Sequence, residues 1–145
     1  MTGRPNREIR SATIAWLLVA GYAVLVSVLS HMSRPPVPEV LQSAPGTLAL
    51  HLLAFAGLGF LFYRALSRSW RGLSEVKLVL VTIAACAVFG ALDELHQSFV
   101  PGRFCQAIDV AADTIGGTVA ALLLAAAGRS KTQARTEKDE RRILG

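Results

Sequence analysis

The chain has 145 residues, of which 52% are hydrophobic and 17% are charged, and its formal net charge is +5. This composition predicts a membrane protein rather than a typical soluble domain. The basic residues lack interleaved aromatic side chains and form no nucleic-acid motif, so we expect no nucleic-acid partner.

The apolar residues fall in four blocks, at 12–29, 48–63, 78–92 and 114–128. A helix needs about 20 mostly apolar residues to cross a bilayer core of about 30 Å. Extension of the blocks into flanking polar sequence predicts helices at 10–31, 46–64, 77–97 and 108–128. We therefore expect an all-α bundle of four transmembrane helices over residues 1–128, followed by a charged tail at 129–145 that is frayed or disordered.

The segments around the first helix need separate interpretation. A secretory signal cleaved after Ser30 is an alternative, but the apolar run exceeds the usual signal core of about 7–15 residues, which favours a retained helix. Four prolines between Ser33 and Pro45 predict an external loop, because proline interrupts a helix.

The Lys and Arg residues predict the orientation in the membrane. Three precede the first helix, four join the second and third helices, and six follow the fourth, whereas only Arg34 and Arg103 fall on the other side. Basic flanks favour the cytoplasm. Both termini are therefore expected to be cytoplasmic.

A polar motif interrupts the apolar sequence between the third and fourth helices. It runs from Asp93 to Arg103 as Asp-Glu-Leu-His-Gln-Ser-Phe-Val-Pro-Gly-Arg and is followed by Asp109 and Asp113. Ionisable groups inside a membrane are costly and normally face a bundle interior or a watery cavity. Helix lengths place Asp93, Asp113 and His51 at similar depth. The candidate functional residues are His51, Asp93, Glu94, His96, Gln97, Arg103, Asp109 and Asp113.

The spacing predicts which side chains share a face. On the third helix, Asp93, His96 and Gln97 are spaced i, i+3 and i+4, while Glu94 points to the side. On the fourth helix, Gly116 and Gly117 continue the stripe of Asp109 and Asp113 and predict close helix packing.

Three interpretations of this cluster remain open. In the first, Arg103 neutralises Asp93 or Asp109 and the network is purely structural. In the second, Arg103 binds a phosphate while Asp and His groups bind hydroxyls or amines of the same ligand. In the third, Asp93, Glu94, His96, Asp109 and Asp113 perform catalysis or bind a divalent cation. We assign no metal or cofactor, because no metal-binding spacing occurs, and we interpret His51 first as a hydrogen-bonded helix residue.

The motif resembles the VanZ-like family of small bacterial membrane proteins. The resemblance rests on His51-Leu-Leu-Ala-Phe-Ala-Gly-Leu-Gly59, on Asp93-Glu-x-x-Gln-x-Phe-x-Pro-Gly-Arg103, and on Asp109-x-x-x-Asp-Thr-x-Gly116. The chain has Thr47 and Leu48 where family proteins typically carry Asp-Lys, and Asp113 where Asn is common. The resemblance implies a four-helix protein of the bacterial inner membrane, and the named family member is associated with reduced susceptibility to the glycopeptide antibiotic teicoplanin.

Together these observations suggest binding or sensing of a cell-envelope lipid head group at the periplasmic face. Membrane lipids or a cell-wall lipid intermediate are the expected partners. The alternatives are a membrane enzyme acting on a phosphorylated lipid carrier and a structural subunit of an envelope assembly, so the sequence leaves open whether the protein is an enzyme.

Overall fold

The computed structural model describes residues 4–32 and 36–144, which form an all-α bundle without strands. Its four helices are α1 (Arg4–Ser30), α2 (Ala44–Ser69), α3 (Glu75–Gln97) and α4 (Ala107–Leu144), and a short 3₁₀ helix covers Glu39–Gln42. Each α-helix contains a stretch long and apolar enough to cross a membrane. The predicted fold class is therefore confirmed for the described part of the chain.

The helices run alternately up and down, so two ends of the bundle can be distinguished. At one end, Trp16 Nε1 of α1 donates to Ser69 Oγ of α2 at 2.9 Å, and Arg129 of α4 donates to Glu75 of α3 at 2.6 Å. We call this the basic end, because the Lys and Arg residues gather around it. At the other end, where α1 and α3 finish and α2 and α4 begin, lie most of the candidate functional residues, and we call it the site end.

The start of α2 shows where the loop prediction was wrong. Ser43 caps the helix by accepting a hydrogen bond from Gly46 N at 3.4 Å, and Pro45 lies in the first helical turn. Proline is tolerated there because the first N–H groups of a helix have no helical acceptor. Pro45 therefore belongs to the helix rather than to the loop, while the predictions for 33–35, including Arg34, lie outside the described residues.

The structure also corrects the prediction of a disordered tail. Helix α4 continues without interruption from Ala107 to Leu144, a length of about 57 Å at 1.5 Å per residue. Its part beyond Arg129 is exposed and carries an Arg141–Glu137 ion pair of 2.8 Å at i,i+4 spacing. A helix that extends one already formed avoids the cost of nucleation, and such pairs add a little stability. The segment with alternating charges is therefore helical and not disordered.

Glycines allow α2 and α4 to approach closely in the middle of the bundle. A Cβ atom on Gly59 would lie 2.7 Å from Gly117 Cα, and one on Gly116 would collide with the carbonyl oxygen of Leu52. Both collisions involve backbone, which cannot rotate away as a side chain can. This contact sets the separation of the two helices that carry His51 and the Asp residues of α4.

Replacement of Gly116 by Leu should therefore destabilise the protein. The added side chain must push α4 away from α2, and overpacking of this kind costs about 1–3 kcal/mol or more. Thermal unfolding in detergent measures the effect. Gly21→Leu is the matched control, because a Cβ atom on Gly21 meets nothing within 4 Å. Equal melting temperatures for the two variants would reject close packing at Gly116.

The orientation of the bundle remains a prediction, and the cysteines offer a direct test. Cys105 is exposed at the site end, whereas Cys86 is buried. With cytoplasmic termini, a membrane-impermeant maleimide should label Cys105 from the periplasmic side. In a Cys105→Ser background, Gly72→Cys in the α2–α3 loop should react only after the membrane is permeabilised. The reverse pattern would overturn the orientation.

Candidate functional site

The site end holds two adjacent acids of α3 that face different neighbours. Asp93 is 5% exposed and Glu94 is fully buried. Successive residues of a helix point about 100° apart, so one faces α1 while the other faces α2 and α4. Glu94 therefore points to the side of the face that carries Asp93, as the spacing predicted, and that side is buried against α2 and α4.

Asp93 belongs to a network of hydrogen bonds that we call the amide network, formed by Ser30, Asp93, Gln97 and Arg103. Asp93 Oδ2 accepts from Ser30 Oγ at 2.5 Å and from Gln97 Nε2 at 2.9 Å, and Gln97 Nε2 also lies 2.6 Å from Ser30 Oγ. Gln97 Oε1 in turn accepts from Arg103 Nε at 3.0 Å and from Nη2 at 2.7 Å. Because an amide both donates and accepts, Gln97 can join a carboxylate to a guanidinium.

The turn after α3 explains the position of Arg103. The N–H of Arg103 donates to Val100 O at 3.1 Å, and Gly102 has a φ of +80°. Pro101 followed by a glycine of positive φ is the pattern of a type II turn. This tight turn brings the guanidinium back onto Gln97.

Arg103 does not neutralise an acid of the site. Among the described residues, no ion pair joins it to Asp93 or Asp109, and Gln97 is the acceptor of its side-chain hydrogen bonds. The ion pairing assumed in the first interpretation of the motif is therefore wrong.

Glu94 belongs to a second group, the carboxylate–histidine cluster, formed by His51, Glu94, Asp109 and Asp113. His51 Nδ1 lies 2.9 Å from Asp113 Oδ1, and His51 Nε2 lies 4.0 Å from Glu94 Oε1. One ligand atom from each of His51, Glu94 and Asp109 lies within 4.8 Å of the other two. His51 is thus a hydrogen-bonded helix residue, as the sequence suggested, and the structure also groups it with the acids of α3 and α4.

The first turn of α4 partly offsets the free-energy cost of burying these acids. Glu94 Oε2 accepts from Gln106 N, the residue before α4, at 2.8 Å, and Asp109 lies in the first helical turn. The N-terminus of a helix carries a partial positive charge, which favours nearby carboxylates. The start of α4 therefore helps to hold Glu94 and Asp109 at this level of the bundle.

His96 lies outside both groups, although it contacts α1 as Asp93 does, in line with the predicted shared face. It is exposed, and its Nε2 lies 3.0 Å from Nδ1 of His31. Residues 30 and 31 directly follow the first apolar block, and only the tertiary structure shows that they contact α3. Sequence reasoning missed both Ser30 and His31, although a polar pair at that position is a weak signal.

A cavity of about 250 Å³ opens beside the amide network. Its polar lining comes from Ser30, Thr47, His51, Asp93 and Arg103. The remaining walls are apolar and come from α1, α2 and the loop before α2, namely Val26, Leu29, Val37, Leu41, Leu50, Ala54 and Phe55. The cavity therefore offers one permanent cation and one carboxylate beside an apolar surface.

Comparison with known proteins agrees with this architecture. The family model described as VanZ/LLP1 matches residues 20–128, which include α2 and α3, parts of α1 and α4, and both polar groups. The chain belongs to the VanZ/LLP1 family. It is thus a membrane protein of this family, as the motif predicted. No curated protein and no solved structure matches the chain.

Replacement of Gln97 by Glu tests the amide network in this VanZ/LLP1 protein. The carboxylate would keep an acceptor for Arg103 but lose the donor to Asp93, and an unmatched buried polar group costs about 1–3 kcal/mol. We expect a lower melting temperature in detergent. Gln133→Glu makes the same chemical change on an exposed side chain of α4, far from the site, and should leave stability nearly unchanged. Equal effects would contradict the bridging role of Gln97.

Proposed function

We propose that this VanZ/LLP1 protein binds or senses the head group of a cell-envelope lipid in the cavity at the site end. The bundle spans the bacterial inner membrane with both termini in the cytoplasm, and the cavity faces the periplasmic leaflet. Membrane lipids or a cell-wall lipid intermediate are the ligands. The observation that carries this proposal is the presence of Arg103 at the edge of a largely apolar cavity.

The hydrogen bonding of Arg103 supports a role in binding an anion. Its Nε and Nη2 groups donate to Gln97 Oε1, whereas a guanidinium has five N–H donors in all. The remaining donors suit a phosphate, which arginine binds in a planar, two-bonded geometry. Because Gln97 fixes the guanidinium in place, little conformational entropy is lost when a ligand binds.

The rest of the cavity lining suits an amphiphilic ligand. Asp93 can bind a hydroxyl or amine of the head group, while Leu29, Leu50 and Phe55 offer an apolar surface to the attached chain. A ligand with a phosphate, polar substituents and an acyl or prenyl chain matches this arrangement. A soluble anion would make no use of the apolar wall.

The proposed consequence in the cell is altered susceptibility to glycopeptide antibiotics of the teicoplanin type. These antibiotics act at the envelope, so a protein that binds an envelope lipid is placed to change their effect. Expression of the wild-type protein should raise the inhibitory concentration of teicoplanin in a sensitive host. This consequence is separable from lipid binding and rests on the family relationship.

Lipid retention by Arg103 variants tests the binding proposal. The probe is phosphatidylglycerol, added to detergent-purified protein and followed by native mass spectrometry against phosphatidylcholine. Arg103→Lys keeps the charge but loses the planar fork, so retention should fall several-fold, and Arg103→Ala should fall at least as far. Arg64→Ala removes one exposed charge at the basic end and is the control.

The outcomes separate the proposed function from its alternatives. Wild-type retention by both Arg103 variants, with unchanged melting temperatures, would reject the head-group site. Chemical conversion of a phosphorylated lipid carrier by the wild-type protein would instead favour a membrane enzyme. Retention of a protein partner with no selectivity among lipids would favour a structural subunit of an envelope assembly.

A further inference from the structure

The carboxylate–histidine cluster contains more hydrogen-bond acceptors than donors. Asp113 is fully buried, and its Oδ1 lies 2.9 Å from His51 Nδ1. When Asp113 is ionised it can only accept, so His51 Nδ1 then carries the proton, and in a neutral imidazole the lone pair lies on Nε2. That lone pair faces Glu94 Oε1 at 4.0 Å, which is too long for a hydrogen bond.

Glu94 gives the second, independent observation. Its side chain is fully buried, and its Oε1 has no hydrogen-bond partner among the described residues, although Oε2 is paired with Gln106 N. Asp109, which is 5% exposed, contributes a third ligand atom within 4.8 Å of those of His51 and Glu94. No Lys or Arg of the described residues forms an ion pair with any of these acids. Buried acceptors without a compensating positive charge are strongly unfavourable.

We propose that His51, Glu94 and Asp109 bind a divalent transition-metal ion between α2, α3 and α4. In the tetrahedral geometry usual for Zn²⁺, ligand atoms at about 2.0–2.2 Å from the ion lie about 3.3–3.6 Å apart. The His51–Glu94 distance of 4.0 Å and separations of up to 4.8 Å must therefore shorten by about 0.5–1.5 Å when an ion binds, which side-chain rotation can supply. One divalent ion would give all three acceptors a partner and offset the charges of two carboxylates.

The ligand types, one imidazole and two carboxylates, favour some metal ions over others. Imidazole suits Zn²⁺ and related transition metals, and carboxylates also suit Mn²⁺. Mg²⁺ and Ca²⁺ prefer sites made entirely of oxygen, so a histidine ligand selects against them. We therefore expect Zn²⁺ or Mn²⁺ to bind more tightly than Mg²⁺.

Asp113 acts as a positioning residue for this ion. A histidine that binds a metal through one nitrogen usually donates its other N–H to a carboxylate, which fixes the ring and its tautomer. The pair of His51 Nδ1 and Asp113 Oδ1 has this arrangement. Gly90 leaves room for it, because a Cβ atom there would lie 2.8 Å from Asp113 Oδ2. This proposal does not depend on lipid binding.

Metal content and affinity provide the test. The full chain is purified with a non-histidine tag in a His31→Gln, His96→Gln and Cys105→Ser background, which removes exposed groups that bind Zn²⁺. After incubation with Zn²⁺ or Mn²⁺ and desalting, the background protein should retain about one ion per chain. Glu94→Gln and Asp109→Asn should each weaken binding at least tenfold, and Asp113→Asn should weaken it about 10–100-fold. Glu75→Gln, at the other end of α3, is the control.

A spectroscopic measurement keeps the test decisive even if a variant does not fold. X-ray absorption of the Zn²⁺-loaded background protein should show nitrogen and oxygen ligands at about 2.0–2.2 Å with the scattering of one imidazole. Retention of much less than one ion per chain, or a loaded spectrum without imidazole scattering, would overturn the proposal. So would folded Glu94→Gln and Asp109→Asn variants that bind the ion as tightly as the Glu75→Gln control.

Discussion

The burial of acids at the ends of membrane-spanning helices is the constraint on which this structure depends. A charged side chain at the centre of a spanning helix costs about 2.5–3.5 kcal/mol on insertion scales. Here Asp93, Glu94 and Asp113 are all buried, and each has a specific donor on another element: Ser30, the backbone of Gln106 and His51, respectively. These donors reach the acids only if the helices are close. The glycine contact between α2 and α4 is therefore part of the polar site as well as of the packing.

The rotation of about 100° between successive helical residues divides the acids into two groups. Asp93 faces α1 and the cavity, where it joins the amide network, whereas Glu94 faces α2 and α4. His51 touches both regions, since it lines the cavity and belongs to the carboxylate–histidine cluster. One turn of α3 thus serves two chemically different sites that share one side chain.

The number of helices and the level of the polar residues could be predicted from the sequence, because bilayer thickness fixes the length of a spanning helix. The burial of Glu94 and the exposure of His96 could not. In a membrane helix the lipid-facing side is as apolar as the packed side, so local spacing does not reveal which face is buried. The link of Ser30 to Asp93 joins residues 63 positions apart and depends on tertiary structure. The tail beyond Arg129 was mistaken for disorder because its charges suggested solvation, but they are also compatible with a helix.

The turn at Pro101 and Gly102 determines how charge is distributed at the site end. It directs Arg103 onto the uncharged amide of Gln97 and not onto an acid, so the guanidinium lines the cavity without a direct ion pair. For the same reason Glu94 and Asp109 lack an ion pair with a Lys or Arg side chain of the described residues. If Arg103 paired with Asp109, its guanidinium would no longer line the cavity, and it would offset the negative charge that the proposed metal ion offsets in the carboxylate–histidine cluster. A single turn geometry therefore underlies both the proposed anion site and the proposed metal site.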